Sequence, residues 1–266
     1  MKVAFVLYGG VGQTSTRSKN IDAEYIDPQI CYDHYKYFGV LKDDYDVYFH
    51  TWESPYSTKA MELYKPKHCV IESTPKFNVP EKYYGTHCRF YSQKLATDML
   101  QEDYDLVFLT RFDLAWHVPF DFSSYDPNYL YVQHSNWLEK NEGVSGAREW
   151  NTHHLCDWWF LGSSKTIKKL NSNYSKLQQY LTPSMLMPNK YLKNGMMRSP
   201  QHVAARQMVN DSGVPVRYIL NRDEDHCLVR NCLSGVDPQT KKNIWKVEDG
   251  LYHLTYKTEN KTYTTL

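Results

Sequence analysis

The stretch Tyr104-Asp105-Leu106-Val107-Phe108-Leu109-Thr110-Arg111-Phe112-Asp113 constrains the fold more than any other part of the chain. Leu106 to Arg111 is an apolar, β-type run that ends in a charge, and it reads as a buried strand. Side chains alternate along a strand, so Arg111 and Asp113, two positions apart, share one face. In an open α/β sheet, ligands bind just outside the carboxyl ends of the strands. A guanidinium and a carboxylate delivered together at such an edge suit a diphosphate and its metal ion. A structural Arg–Asp pair at a strand end is the plainer alternative.

Other elements follow the same grammar. Lys2 to Tyr8 is a strand that runs into the polar loop Gly9-Gly10-Val11-Gly12-Gln13-Thr14-Ser15-Thr16-Arg17. Strand followed by glycine loop is the layout of a phosphate or nucleotide site. The glycines fit neither GxGxxG nor a Walker motif. Asp46 to Trp52 is a second strand, Cys69 to Ile71 a short third, and Tyr91 to Glu102 a helix leading into the Leu106 strand. Strand, helix and strand in repetition predict a mainly parallel α/β sheet. Further on, strands are expected at Tyr129 to Val132, Asp157 to Gly162, Val214 to Leu220 and about Gly250 to Tyr256. A helix from Lys165 to about Tyr180 has Ser163 and Ser164 as caps. Another, Gln201 to Asn210, is expected to be capped by Ser199, with Pro200 at its first position.

Composition removes some classes. At 266 residues the chain can bury a real core. A net charge of +1 makes no electrostatic case for nucleic acid or an anionic membrane. The 23 Tyr and 7 Trp offer flat faces with polar tips, suited to sugars or bases and equally ordinary in cores. No stretch approaches the length of a transmembrane helix. Met1-Lys2 and the short apolar run after it do not make a signal peptide. The six cysteines include no CxxC pair, and Cys227 and Cys232 lack a zinc spacing. These features predict a cytoplasmic protein with reduced thiols, in the host cytoplasm if virus-encoded.

Five segments then line up in order: Val3 to Arg17; Asp46-Val47-Tyr48-Phe49-His50-Thr51-Trp52; Ser92-Gln93; Tyr104 to Asp113; and Asp157-Trp158-Trp159-Phe160-Leu161-Gly162-Ser163. Together they resemble small GT-A-like nucleotide-sugar glycosyltransferases of bacteria and large DNA viruses. The resemblance covers roughly residues 1 to 215. It implies a GT-A-like, Rossmann-related fold: a mixed, mainly parallel sheet flanked by helices, in one domain over residues 1–266. A nucleotide-binding half would reach to about residue 115, and an acceptor-binding half would run from about 116. It implies transfer of a sugar from a nucleoside-diphosphate sugar, expected to be a UDP-sugar, to a hydroxyl of a glycan acceptor, with Mn2+ or Mg2+ as cofactor. The chain departs from the pattern twice. Arg111 stands where the first acid of Asp-x-Asp is usual, and Pro200-Gln201 stands where Pro-Glu often opens the late helix.

The residue roles derive from that likeness and from side-chain chemistry. Arg111, Arg17 and Arg230 are candidates for the diphosphate, because guanidinium groups fork onto phosphate oxygens. Gly9, Gly10 and Thr14 would offer backbone amides; His50, Thr51 and Trp52 would border the base; Gln93 would reach ribose or phosphate. Asp113 is the expected metal ligand, with His253 closing the coordination. Asp157 is the expected catalytic base of an inverting transfer, with His153 and His154 as alternatives. Trp158 or Trp159 would stack on the acceptor. The rival readings are a non-catalytic carbohydrate-binding protein, an inactive relative of the glycosyltransferases, and a nucleotidyltransferase, whose basic glycine signature residues 9–20 do not supply.

Overall fold

The computed structural model describes residues 1–12, 27–134, 155, 157–182, 199–221, 226–229, 245–248 and 251–254. Thr14, Arg17, His153, His154 and Arg230 lie outside these residues, and so does the side chain of His253.

The first half alternates strand and helix: β1 (Val3–Tyr8), α1 (Pro28–Tyr37), β2 (Asp46–Trp52), α2 (Ser57–Tyr64), β3 (His68–Glu72), α3 (Glu81–Asp98) and β4 (Leu106–Arg111). A short strand, β5 (Leu114–Trp116), is next. Then come β6 (Leu130–His134), β7 (Trp159–Gly162), α4 (Ser164–Ser172), α5 (Leu177–Tyr180), α6 (Pro200–Ser212), β8 (Val216–Asn221), β9 (His226–Leu228), β10 (Trp245–Glu248) and β11 (Leu251–Leu254). The strands at 46–52 and 106–111 have the bounds read from sequence. Residues 165–180 are instead α4, a 3-10 turn at Asn173–Lys176 and the short α5.

The local signals are visible in the structure. Asp27 caps α1 by accepting from the Gln29 amide at 2.9 Å, and Pro28 opens the helix where a missing N–H costs nothing. Ser163 caps α4 through the Thr166 amide. Ser199 does not cap α6; its hydroxyl donates to Gln201 Oε1 instead. Gly213, in the left-handed conformation, ends that helix.

The main sheet has seven strands among the described residues, in the order β3-β2-β1-β4-β7-β6-β8. Strands β3, β2, β1 and β4 are mutually parallel, β7 is antiparallel to both β4 and β6, and β6 is parallel to β8. This is a mixed, mainly parallel sheet flanked by helices, consistent with a GT-A-like α/β fold. Strands from both sides of residue 115 belong to it. Alternation splits the core in two. Val3, Phe5 and Leu7 of β1 face α1 and α2, packing with Tyr35, Ala60 and Tyr64. Ala4, Val6 and Tyr8 face α3, α4 and α6, packing with Phe90, Ile167 and Met208. Burial on both faces explains why β1 and β4 read as continuous apolar runs.

Strand order decides which loops meet. From β1 the chain moves outward through β2 to β3, then returns along α3 to place β4 on the other side of β1. The strand order therefore reverses at β1, which makes the carboxyl ends of β1 and β4 a topological switch point, and the chain leaving β4 turns back over the end of α1, with the Phe120 amide donating to the Phe38 carbonyl at 2.9 Å. Tyr8 is the register partner of Arg111, so Gly9-Gly10 and Arg111–Asp113 leave the sheet side by side. Antiparallel β7 begins at this same edge, with Trp159 opposite Thr110, and brings Asp157 to it.

Candidate functional site

The turn after β1 is tied down residue by residue. Gly9 has φ +94°, a conformation that side-chain-bearing residues avoid, so glycine is required there. The Gly9 amide donates to Ser92 Oγ at 2.7 Å. His50 Nδ1 lies 2.7 Å from the same oxygen, and His50 Nε2 lies 3.0 Å from Glu72 Oε1. Burial lowers the pKa of His50 despite Glu72, which favours the neutral ring. One proton arrangement then satisfies every group: Gly9 N–H to Ser92 Oγ, Ser92 O–H to His50 Nδ1, and His50 Nε2–H to Glu72. The Val11 amide donates to Thr51 Oγ1 at 3.1 Å. Four elements, β1, β2, β3 and α3, thus fix one loop.

Arg111 and Asp113 form a two-bond fork: Nε donates to Oδ1 and a terminal nitrogen to Oδ2, both at 2.6 Å. Burial works against the Arg111 charge, yet the charge and hydrogen bonds of Asp113 raise its pKa. Tyr35 Oη donates to the Arg111 carbonyl at 2.6 Å and pins the strand end. The Tyr8 hydroxyl donates to the Asp157 carbonyl at 2.6 Å, joining the start of β7 to the end of β1.

Asp157 is fully buried and ion-paired with Arg89 of α3. His202 Nε2 of α6 lies 3.9 Å from the other carboxylate oxygen, Oδ1, which has no hydrogen-bond partner among the described residues. Burial alone would raise the pKa of Asp157; the charges of Arg89, His202 and Arg111 outweigh it and hold the group below the usual carboxylate range. Tyr8 feels the charges of Asp157, Arg89, Arg111 and Asp113, and Arg111 those of Asp113 and Asp157. The structure therefore gathers Gly9, Arg111, Asp113 and Asp157 at one edge. It adds Ser92, Arg89 and His202, which sequence reasoning misses as site residues. The signal for the first two is Gln93: Arg89 and Ser92 are three apart, on one face of the same helix.

Several expected roles do not fit this geometry. The sequence points to Asp157 as the base, but a base works best with a pKa near the working pH and within reach of the acceptor hydroxyl. A carboxylate at 0% exposure, held low and bound to Arg89, meets neither condition. Trp158 and Trp159, at 4% and 0% exposure, offer no face to an acceptor sugar. Trp159 packs on Trp116 and Phe108, and its indole N–H donates to His226 at 3.1 Å. Gln93 is fully buried and donates to Asn171 Oδ1 at 2.9 Å, so it joins α3 to α4 rather than touching a ligand. His50, Thr51 and Trp52 are buried too, and His50 and Thr51 hold the β1 loop from behind. The Gly9 amide is committed to Ser92 and not to a phosphate.

The residues at Asp113 do not fit a divalent cation. Such ions take about six or more oxygen ligands. Both Asp113 oxygens are engaged by Arg111, and no group of three His, Cys, Asp or Glu suited to a metal occurs among the described residues. His253 is placed opposite Lys246 in the β10–β11 hairpin. The tail does approach the site elsewhere: the Val229 amide donates to the Asp113 carbonyl at 2.9 Å, beside the β5–β9 pairing.

A glycine turn and a basic–acidic pair thus lie side by side at the carboxyl ends of two parallel strands, the edge where open α/β sheets take ligands. No family model matches the chain, and no curated protein matches it. Among solved structures it is similar to the crystal structure of the glycosyltransferase GlyE in Streptococcus pneumoniae TIGR4, at 14% identity with a TM-score of 0.39. The alignment covers 82% of this chain and 45% of that one, so this chain spans less than half of that structure's length. Among the described residues no helix is long and apolar enough to cross a membrane.

Proposed function

We propose that this chain is a nucleotide-sugar glycosyltransferase of the kind found in bacteria and large DNA viruses. It takes a sugar from a UDP-sugar and passes it to a hydroxyl of a glycan acceptor. One observation carries the reading: the left-handed Gly9 turn and the Arg111–Asp113 fork sit side by side at the switch point, where a diphosphate meets both at once. As the sugar departs, negative charge grows on the diphosphate, and a preorganised guanidinium stabilises it there. Asp113 positions that guanidinium, and Ser92 and His50 position the turn.

The test is a thermal-shift and turnover pair. UDP at a hundred times its dissociation constant should stabilise the fold by about 2.7 kcal/mol. A UDP-sugar given with a glycan acceptor should release free UDP. Failure of every nucleoside diphosphate to shift the melting temperature would remove this reading. A second reading, an inactive relative that keeps the nucleotide site, is favoured by both carboxylates of the edge being engaged by arginines. Binding of UDP with no release from any donor sugar selects it.

A further inference from the structure

We infer that the Arg111–Asp113 fork stands in for a divalent cation, so that a nucleoside diphosphate binds at this edge without a metal ion. The inference rests on the proposed nucleotide site and specifies how that site meets the diphosphate charge.

The formal charges balance. Two carboxylates around a divalent cation sum to zero, and so do one arginine and one aspartate. The fork therefore presents to the diphosphate the same net charge as an occupied two-carboxylate site. It also supplies N–H donors where the ion would supply coordination. Paired N–H···O bonds between ions are the strong kind of hydrogen bond, and both side chains here are only 12% exposed, which strengthens them. A cation at Asp113 would have to displace two such bonds and then sit against the displaced guanidinium. The fork occupies one edge of the Arg111 guanidinium. The N–H groups that the fork does not use keep the planar geometry that matches phosphate oxygens. Asp113 is then a positioning residue: it fixes the guanidinium plane at the end of β4, beside the Gly9 turn. Tyr35, bonded to the Arg111 carbonyl, and the Val229 amide, bonded to the Asp113 carbonyl, hold both backbones in place.

The experiment is calorimetric titration of UDP into the full chain, once in excess chelator and once in millimolar manganese, alongside Mn2+ alone titrated into the protein and followed by electron paramagnetic resonance. The expected result is a UDP affinity equal within about threefold in the two buffers and no bound Mn2+ signal, because charge-assisted N–H bonds carry the contact. Arg111→Gln should weaken UDP binding by about tenfold or more in chelator, the loss expected for a charge-assisted fork. Arg111→Asp, which recreates the two-carboxylate spacing, should bind UDP only when manganese is present. Binding by the wild-type chain that appears only with manganese, or a stoichiometric Mn2+ site on the chain alone, overturns the inference and leaves the nucleotide reading standing. Absence of UDP binding in both buffers removes the nucleotide reading itself. The wild-type comparison needs no variant to fold.

Discussion

Replacing Arg89 with methionine isolates the buried ion pair that anchors the start of β7. Asp157 has no exposed surface, and only one of its oxygens is hydrogen-bonded among the described residues, to Arg89. Removing one partner of a buried pair costs about 3–5 kcal/mol, because the other charge is left uncompensated. Near 250 residues, each kcal/mol moves the midpoint by about 2–4 °C, so the melting temperature should fall by roughly 6–20 °C. Asp157 has one escape, which is to take up a proton. In the wild type its folded pKa lies below the unfolded value, so the pair contributes above that value and is lost as pH falls through the folded pKa. Without Arg89, burial is opposed only by the charges of His202 and Arg111 and should raise the folded pKa above the unfolded one. The penalty then grows as pH rises and vanishes below the unfolded value of about 3.9. Urea denaturation followed by circular dichroism, at neutral pH and again near the carboxylate range, reads both effects. Replacing the pair together, Arg89→Met with Asp157→Leu, should recover most of the loss. A single variant within about 1 kcal/mol of wild type at neutral pH would refute the reasoning, because exposed pairs contribute that little.

The other predictions concern the turn after β1. Ser92→Ala strands the Gly9 amide and His50 Nδ1 and should cost about 1–3 kcal/mol in the same denaturation assay. A loss of a few tenths would show that water replaces the hydroxyl. Gly9→Ala meets no atom within 4 Å but forces alanine to φ +94°. It should cost about 1–3 kcal/mol through the backbone alone and should weaken UDP binding, as calorimetry would show. His50, with its folded pKa lowered mainly by burial, contributes stability that is present above its unfolded value of about 6.5 and lost as pH falls through the folded pKa. His50→Gln should flatten that part of the pH–stability curve, and an unchanged slope would place the titration elsewhere.

The parts legible in the sequence are those where one physical signal dominates. The strands 46–52 and 106–111 are apolar runs with sharp polar ends, and burial on both sheet faces leaves no competing pattern. Helix α1 goes unread although Asp27 caps it, because its apolar positions are few and mixed with tyrosines. The helix expected from Tyr91 begins at Glu81, since Gly85 and the polar residues around it mask the periodicity. Arg111 and Asp113 share one face, as the period of two requires. Gln93, Trp158 and Trp159 mislead for one reason. Periodicity says which residues share a face, while the partner on that face comes from a distant segment: Asn171 for Gln93, Trp116 and His226 for Trp159. Asp157 illustrates the same limit, since its role depends on Arg89, 68 residues away.

A crystal structure of the full chain grown with UDP would locate the diphosphate directly. The diphosphate is expected at the carboxyl ends of β1 and β4, against the Gly9-Gly10 turn, with phosphate oxygens within hydrogen-bond distance of the Arg111 guanidinium. UDP bound at another face of the sheet, or an Arg111 guanidinium facing no phosphate oxygen in the complex, would contradict this expectation.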